Sequence, residues 1–194
     1  MSRLVSTYLN AARGLDRLGD ALFPTLARLL FVAVLFGYYW NSAKTKLGDG
    51  FFGFLAPSDG AYIQIFPRVV EAAGYDFSAL GVFHWAVVVA GTWAEFLLPV
   101  LIAIGLATRF AALGMIGFIF VQSWVDVVGH GLGETDVGGW FDRLPSALIL
   151  DQRAFWVFAL LVLVIRGAGP ISADWLIARS GFWARQDDPL PAQG

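Results

Sequence analysis

The stretch GTWAEFLLPVLIAIGLATRFAALG, residues 91–114, decides how this chain folds. It is apolar except for one carboxylate, Glu95, and for a break at Gly105 to Thr108 with Arg109 just beyond it. Outward from it, apolar residues gather in four blocks, 22–40, 82–106, 110–128 and 154–165. The first three reach the roughly 17–25 residues that a spanning helix needs. The fourth does so if its helix begins near Asp151 and runs to Gly169, with Arg153 and Arg166 snorkelling toward opposite interfaces. Of the 194 residues, 58% are hydrophobic and only 14% charged, against roughly 25% charged in an ordinary soluble domain. The pattern predicts an all-α integral membrane protein, an up-down bundle of four transmembrane helices.

Several chemistries fall away at once. There is no cysteine, which removes thiolate metal sites, iron–sulfur clusters, disulfide exchange and covalent haem attachment. The net charge of −2 and the lack of a basic run give no sign of nucleic acid as a partner. A redox role would use a bound cofactor.

Residues 1–21, MSRLVSTYLNAARGLDRLGDA, space Arg3, Ser6, Asn10, Arg13, Arg17 and Asp20 at steps of three or four, with Leu4, Tyr8, Leu15 and Leu18 between them. This reads as an amphipathic helix lying on the membrane surface. The four-helix domain then covers residues 22–169 and a tail residues 170–194. With the N-terminus inside, the cytoplasmic side collects Arg3, Arg13, Arg17, Arg28, Arg109, Arg166, Arg179 and Arg185, and the outer side Lys44, Lys46, Arg68, Arg143 and Arg153. The excess of basic residues favours both termini inside. The first outer loop, residues 44–81, is too long and apolar for a plain linker and predicts short interfacial or re-entrant helices. The second, GHGLGETDVGGWFDRLP, reads as an exposed loop, and Gly105 to Thr108 as the tight turn of an antiparallel hairpin.

Glu95 lies about thirteen residues from the outer end of its helix, roughly 20 Å at 1.5 Å per residue. A bare carboxylate at that depth costs several kcal/mol, roughly, so it is protonated or paired. Arg28 is the partner expected for it, with Arg109 close by, tying the first three helices together. Gln122, Asp126 and His130 recur every four residues and form one polar stripe near the outer end of the third helix. His84 opens the second helix on the same side. Together they can hold a quinol by its hydroxyls and take its protons as electrons leave, since His and a partly buried carboxylate titrate near neutral pH. His84 and His130 also suit axial ligation of haem b, but both lie too near helix ends to bury the macrocycle, which argues against a haem.

A wider pattern joins these residues: Arg28, Gly37 and Lys46 along the first helix, Glu95 in the second, Gly-Leu-x-Thr-Arg at Gly105 to Arg109, and the closing GAGPISAD of residues 167–174. In order and spacing it resembles the DoxX family, small four-helix bacterial membrane proteins related to the small subunit of thiosulfate:quinone oxidoreductase. The resemblance implies a multi-pass protein of the bacterial inner membrane and a subunit of a quinone-linked oxidoreductase, partnered by another subunit or by copies of itself within the lipid. The Gln122-Asp126-His130 stripe goes beyond that shared pattern; in the quinol reading of the residues themselves Asp126, His130 and Glu95 handle protons, while His84, Gln122, Arg28 and Arg109 hold the quinone. The alternative is a non-catalytic scaffold or assembly subunit in which Glu95, Arg28 and Arg109 only fix helix packing. Ser172 and Asp174 suit the cap of a short helix starting near Ala173.

Overall fold

The computed structural model describes residues 3–180, and every regular element among them is helical. The C-terminal tail is thus seen only to Ser180, and Arg185 lies outside the described residues. Helix α1 (Arg3–Phe31) passes through a π-helical turn (Val32–Phe36) straight into α2 (Gly37–Lys46). Two short helices, α3 (Asp59–Ile65) and α4 (Pro67–Ala72), and a 3-10 turn (Phe77–Ala79) follow. Next come α5 (Val82–Ile104) and α6 (Thr108–Trp124), the latter ending in a second π turn (Val125–Gly129). A short α7 (Glu134–Val137), a third π turn (Leu148–Gln152), α8 (Arg153–Arg166) and α9 (Ala173–Arg179) complete the chain.

Four helical runs are long and apolar enough to cross a membrane: Val5–Lys46, Val82–Ile104, Thr108–Gly129 and Leu148–Arg166. The four apolar blocks of the sequence therefore become four helices. The segment of residues 1–21, expected as a separate unit, is not set apart: from Arg3 its helix is continuous with the first apolar block. Pro24 does not end that helix. It lies buried, and Thr25 donates its hydroxyl to the Ala21 carbonyl at 2.9 Å.

The long helices close a ring of contacts. α1 packs on α8, α8 on α6, α6 on α5, and α5 on α2. Phe31, Leu35, Tyr39, Ile102, Met115, Ile119, Leu160 and Leu163 fill its middle, all nearly inaccessible. At one end, here the turn end, α5 reaches α6 through Gly105, which is left-handed at φ 71°, and Ala107 at φ 48°. A side chain at Gly105 would meet Arg28 Nη1 at 2.1 Å and Ser172 Cβ at 2.5 Å, so this turn needs glycine for conformation and for space. Ser172 caps α9 by accepting from Trp175 N at 3.2 Å. Asp174 does something else: it accepts from Ala107 N at 2.7 Å and Thr108 N at 2.9 Å, capping α6 across 66 residues of chain.

At the other end, the loop end, residues 47–58 fold back along α5. Trp85 donates to the Leu55 carbonyl at 2.8 Å and Trp93 to the Phe54 carbonyl at 3.2 Å. Gly48 and Gly53 approach so closely that a Cβ on Gly53 would lie 2.0 Å from the Gly48 oxygen. This tight fold leaves Phe51 and Phe52 exposed beside Phe54. Further along, Ser78 donates to Asp76 through its amide at 3.0 Å and its hydroxyl at 2.6 Å, which holds the Asp76 carboxyl below the usual carboxylate range.

Candidate functional site

A cavity of about 620 Å³ opens between α2, α5 and α6 toward the loop end. Its lining includes Glu95, Gln122, Asp126 and His130, so four residues singled out in the sequence converge on one space. Asp126 itself falls in the π turn of residues 125–129, where the helix is wider than an α-helix.

Glu95 does not meet Arg28. Its carboxylate is held by Lys46, with Nζ at 2.8 Å from Oε2 and 3.1 Å from Oε1, and both side chains are about 95% buried. Ser42 completes the group: its hydroxyl receives from Lys46 Nζ at 2.7 Å and donates to Glu95 Oε1 at 3.2 Å. The reason lies in the direction of helical side chains. Lys46 ends α2, and its stem runs back toward the helix N-terminus, down to Ser42 one turn earlier and across to Glu95. Arg28 sits at the turn end instead, where it donates to the Ile171 carbonyl.

A second ion pair stands at the opposite wall. Arg153, expected to snorkel to the interface, is buried; it donates to Asp126 and, at 2.8 Å, to Ser123 Oγ. Its Nε has no partner although the residue is 4% exposed and lines the cavity. Between the two pairs, Gln122 accepts from the Tyr39 hydroxyl at 3.2 Å and donates to the Tyr38 hydroxyl at 2.8 Å. His130 contacts the Gln64 carbonyl of α3 through Nε2 at 2.9 Å. A carbonyl can only accept, so Nε2 carries the hydrogen there and Nδ1 is left as an acceptor in the neutral ring.

The other expected site residues are elsewhere. His84 is absent from the cavity lining; its ring stands edge-on to Phe66 at 4.9 Å, and its buried Nδ1 has no hydrogen-bond partner. Arg109 donates to the Val164 carbonyl at 3.1 Å and faces the turn end. Arg28 and Arg109 thus belong to the far end of the molecule, and the three-helix tie expected around Glu95 is made by Lys46 and Ser42. What sequence reasoning missed were the bases, Lys46 and Arg153. Charge matching was the available signal: an acid deep in a helix and another near the loop end require two cations, and these two lie at helix termini on that side.

The cavity is asymmetric in character. Ala90 on α5 and Gly114, Gly117 and Val121 on α6 line it and are exposed at the helix surface. Lys46, Glu95 and Arg153 close it and are buried. Its rim is therefore apolar along α5 and α6, carries the exposed Tyr38, Gln64 and His130 as well, and its floor holds two ion pairs. Among the described residues, no group of three or more His, Asp or Glu is placed to hold a metal ion. Fold and cavity together define an all-helical protein with four helices fit to cross a membrane and a charged chamber open between two of them. No protein-family model, curated protein or solved structure matches this chain.

Proposed function

We propose that this chain is a DoxX-like membrane subunit of a quinone-linked oxidoreductase, and that its cavity binds the head group of a quinone or quinol. The observation that carries the reading is the shape and chemistry of the chamber: a rim apolar along α5 and α6 leading to a buried polar floor. A molecule that enters sideways from lipid, polar at its head and apolar in its tail, matches both parts. The residues fit such a head group. Arg153 Nε and the Tyr38 hydroxyl can donate to ring oxygens, and Asp126, Glu95 and His130 Nδ1 can accept from ring hydroxyls.

In this account the quinol is a substrate, and electrons pass between it and a redox group on a partner protein. Oxidation of a quinol releases two electrons and two protons. His130 takes one proton at Nδ1 and Asp126 the other at its carboxylate, which gives up its ion pair with Arg153 as it is neutralised. Glu95, held by Lys46, anchors the head group. The four long helices run up and down through a bacterial inner membrane and both termini are cytoplasmic, which sets the chamber toward the outer face.

Two substitutions test the reading with little risk to the fold. Gly117 lines the cavity and a Cβ added there meets nothing within 4 Å, so Gly117→Leu branches from an open position and places a larger side chain at the mouth. His130 is exposed, so His130→Ala removes a proton acceptor at small structural cost. Both are expected to lower quinone-dependent turnover of the native complex by tenfold or more, whereas unchanged turnover in both would refute the reading. A scaffold or assembly role is the second reading, favoured by the completeness of the Glu95–Lys46–Ser42 group. It predicts that Glu95→Gln reduces recovery of the complex and leaves the kinetics of the recovered complex unchanged.

A further inference from the structure

At the turn end, on the far side of the molecule from the chamber, a crevice of about 660 Å³ lies between α1, the α5–α6 turn, the end of α8 and α9. Three guanidinium groups, Arg17, Arg109 and Arg166, line it together with Asp20 and Asp174. Both acids are engaged: Asp174 by the two amides that open α6, and Asp20 by Arg166 in an exposed pair. Arg17 makes no side-chain hydrogen bond or ion pair within the described residues, and Arg109 makes one, to a carbonyl. The crevice therefore keeps spare guanidinium donors and a net positive lining.

From Arg166 a second depression continues between α1 and α8, a groove of about 960 Å³. Apart from Arg166 its walls are apolar, with Phe23, Leu30, Phe155, Phe158 and Ile165 exposed along it. Phe155 and Ile165 are ten residues apart on one helix, so the groove runs roughly 15 Å along it. A cationic crevice that continues into a long apolar groove has the two-part form of a phospholipid.

We infer that this composite surface binds one anionic phospholipid, its phosphate among Arg17, Arg109 and Arg166 and an acyl chain laid between α1 and α8. Charge complementarity selects an anionic over a zwitterionic head group, because the ammonium of a zwitterionic lipid would meet the same arginines. Arg166 is the joint, since it lines both parts. The site would clip α1 to α8 and to the α5–α6 turn, independently of whatever the chamber holds.

The test is native mass spectrometry of the full-length protein, released from bilayers of phosphatidylcholine with equal phosphatidylglycerol. Three forms are compared: the unaltered protein, the Arg17→Gln/Arg109→Gln double variant, and Ala33→Trp, which fills the groove from an exposed position. The unaltered protein is expected to retain one phosphatidylglycerol at least tenfold over phosphatidylcholine, each variant to lose that preference, and millimolar inorganic phosphate not to displace the lipid. Equal retention of the two lipids, or an unchanged preference in the arginine variant, overturns the inference. So does displacement by phosphate, or full retention by Ala33→Trp, since either reduces the site to a phosphate cradle without a tail groove. The arginines are exposed, and an unchanged elution profile and helical content establish that the variants are folded.

Discussion

Glu95 and Lys46 show what a single buried pair demands of its surroundings. Each alone would be an uncompensated charge among apolar helices, and both are closed off from water. Glu95→Gln leaves the Lys46 ammonium without its counter-ion and is expected to cost about 3–5 kcal/mol, as is Lys46→Met for the opposite reason. The double variant Glu95→Gln/Lys46→Met removes both charges and should recover most of that loss. Thermal unfolding of the four proteins in one detergent reads the cycle, and simple additivity of the single losses would contradict the pairing. The sequence announced that Glu95 needs a partner, because a carboxylate so deep in an apolar run cannot stand bare. It did not announce which one. Lys46 is 49 residues away, and the register that brings it to Glu95 is set by residues 47–58 folding along α5. Arg153 was misread for a related reason: a long basic side chain near a helix end usually reaches outward to the interface, and here Asp126 and Ser123 draw it inward.

Helices were the most legible elements, since apolar blocks of spanning length leave the backbone little alternative to internal hydrogen bonding. Their irregularities were not legible. Nothing in the order of apolar residues marks the π turns at residues 32–36, 125–129 and 148–152, yet two of them place Asp126 and lead into Arg153. The turn between α5 and α6 was visible in the Gly105 to Thr108 break, whereas the use of Asp174 as a remote cap for α6 was not, because a cap is ordinarily sought one turn away in sequence. Gly105→Ala forces a left-handed conformation on a residue with a Cβ, worth about 1–2 kcal/mol by itself, and drives that carbon into Arg28 and Ser172. Its unfolding temperature should therefore fall below that of Asp174→Ala, which strips the α6 cap and costs about 1 kcal/mol. The reverse order would contradict the packing described for the turn.

For the molecule as a whole, the ring of α1–α2, α5, α6 and α8 leaves two openings of opposite character at its two ends, a charged chamber and a cationic crevice. Their placement across a membrane follows from orientation, and the absence of cysteine makes orientation easy to measure. In intact cells, Thr135→Cys in the loop end should react with a membrane-impermeant maleimide, and Asn10→Cys should react only after lysis. Labelling in the opposite sense would turn the chamber toward the cytoplasm. The chamber itself is the centre of the account, and its occupant can be sought directly. The protein purified gently from its own membranes, beside Gly117→Leu and His130→Ala, is extracted with organic solvent and its quinone measured by mass spectrometry. Near-stoichiometric quinone in the unaltered protein, lost when the mouth is narrowed at Gly117, is the predicted result. Quinone no higher than in an unrelated membrane protein prepared in the same way would contradict it.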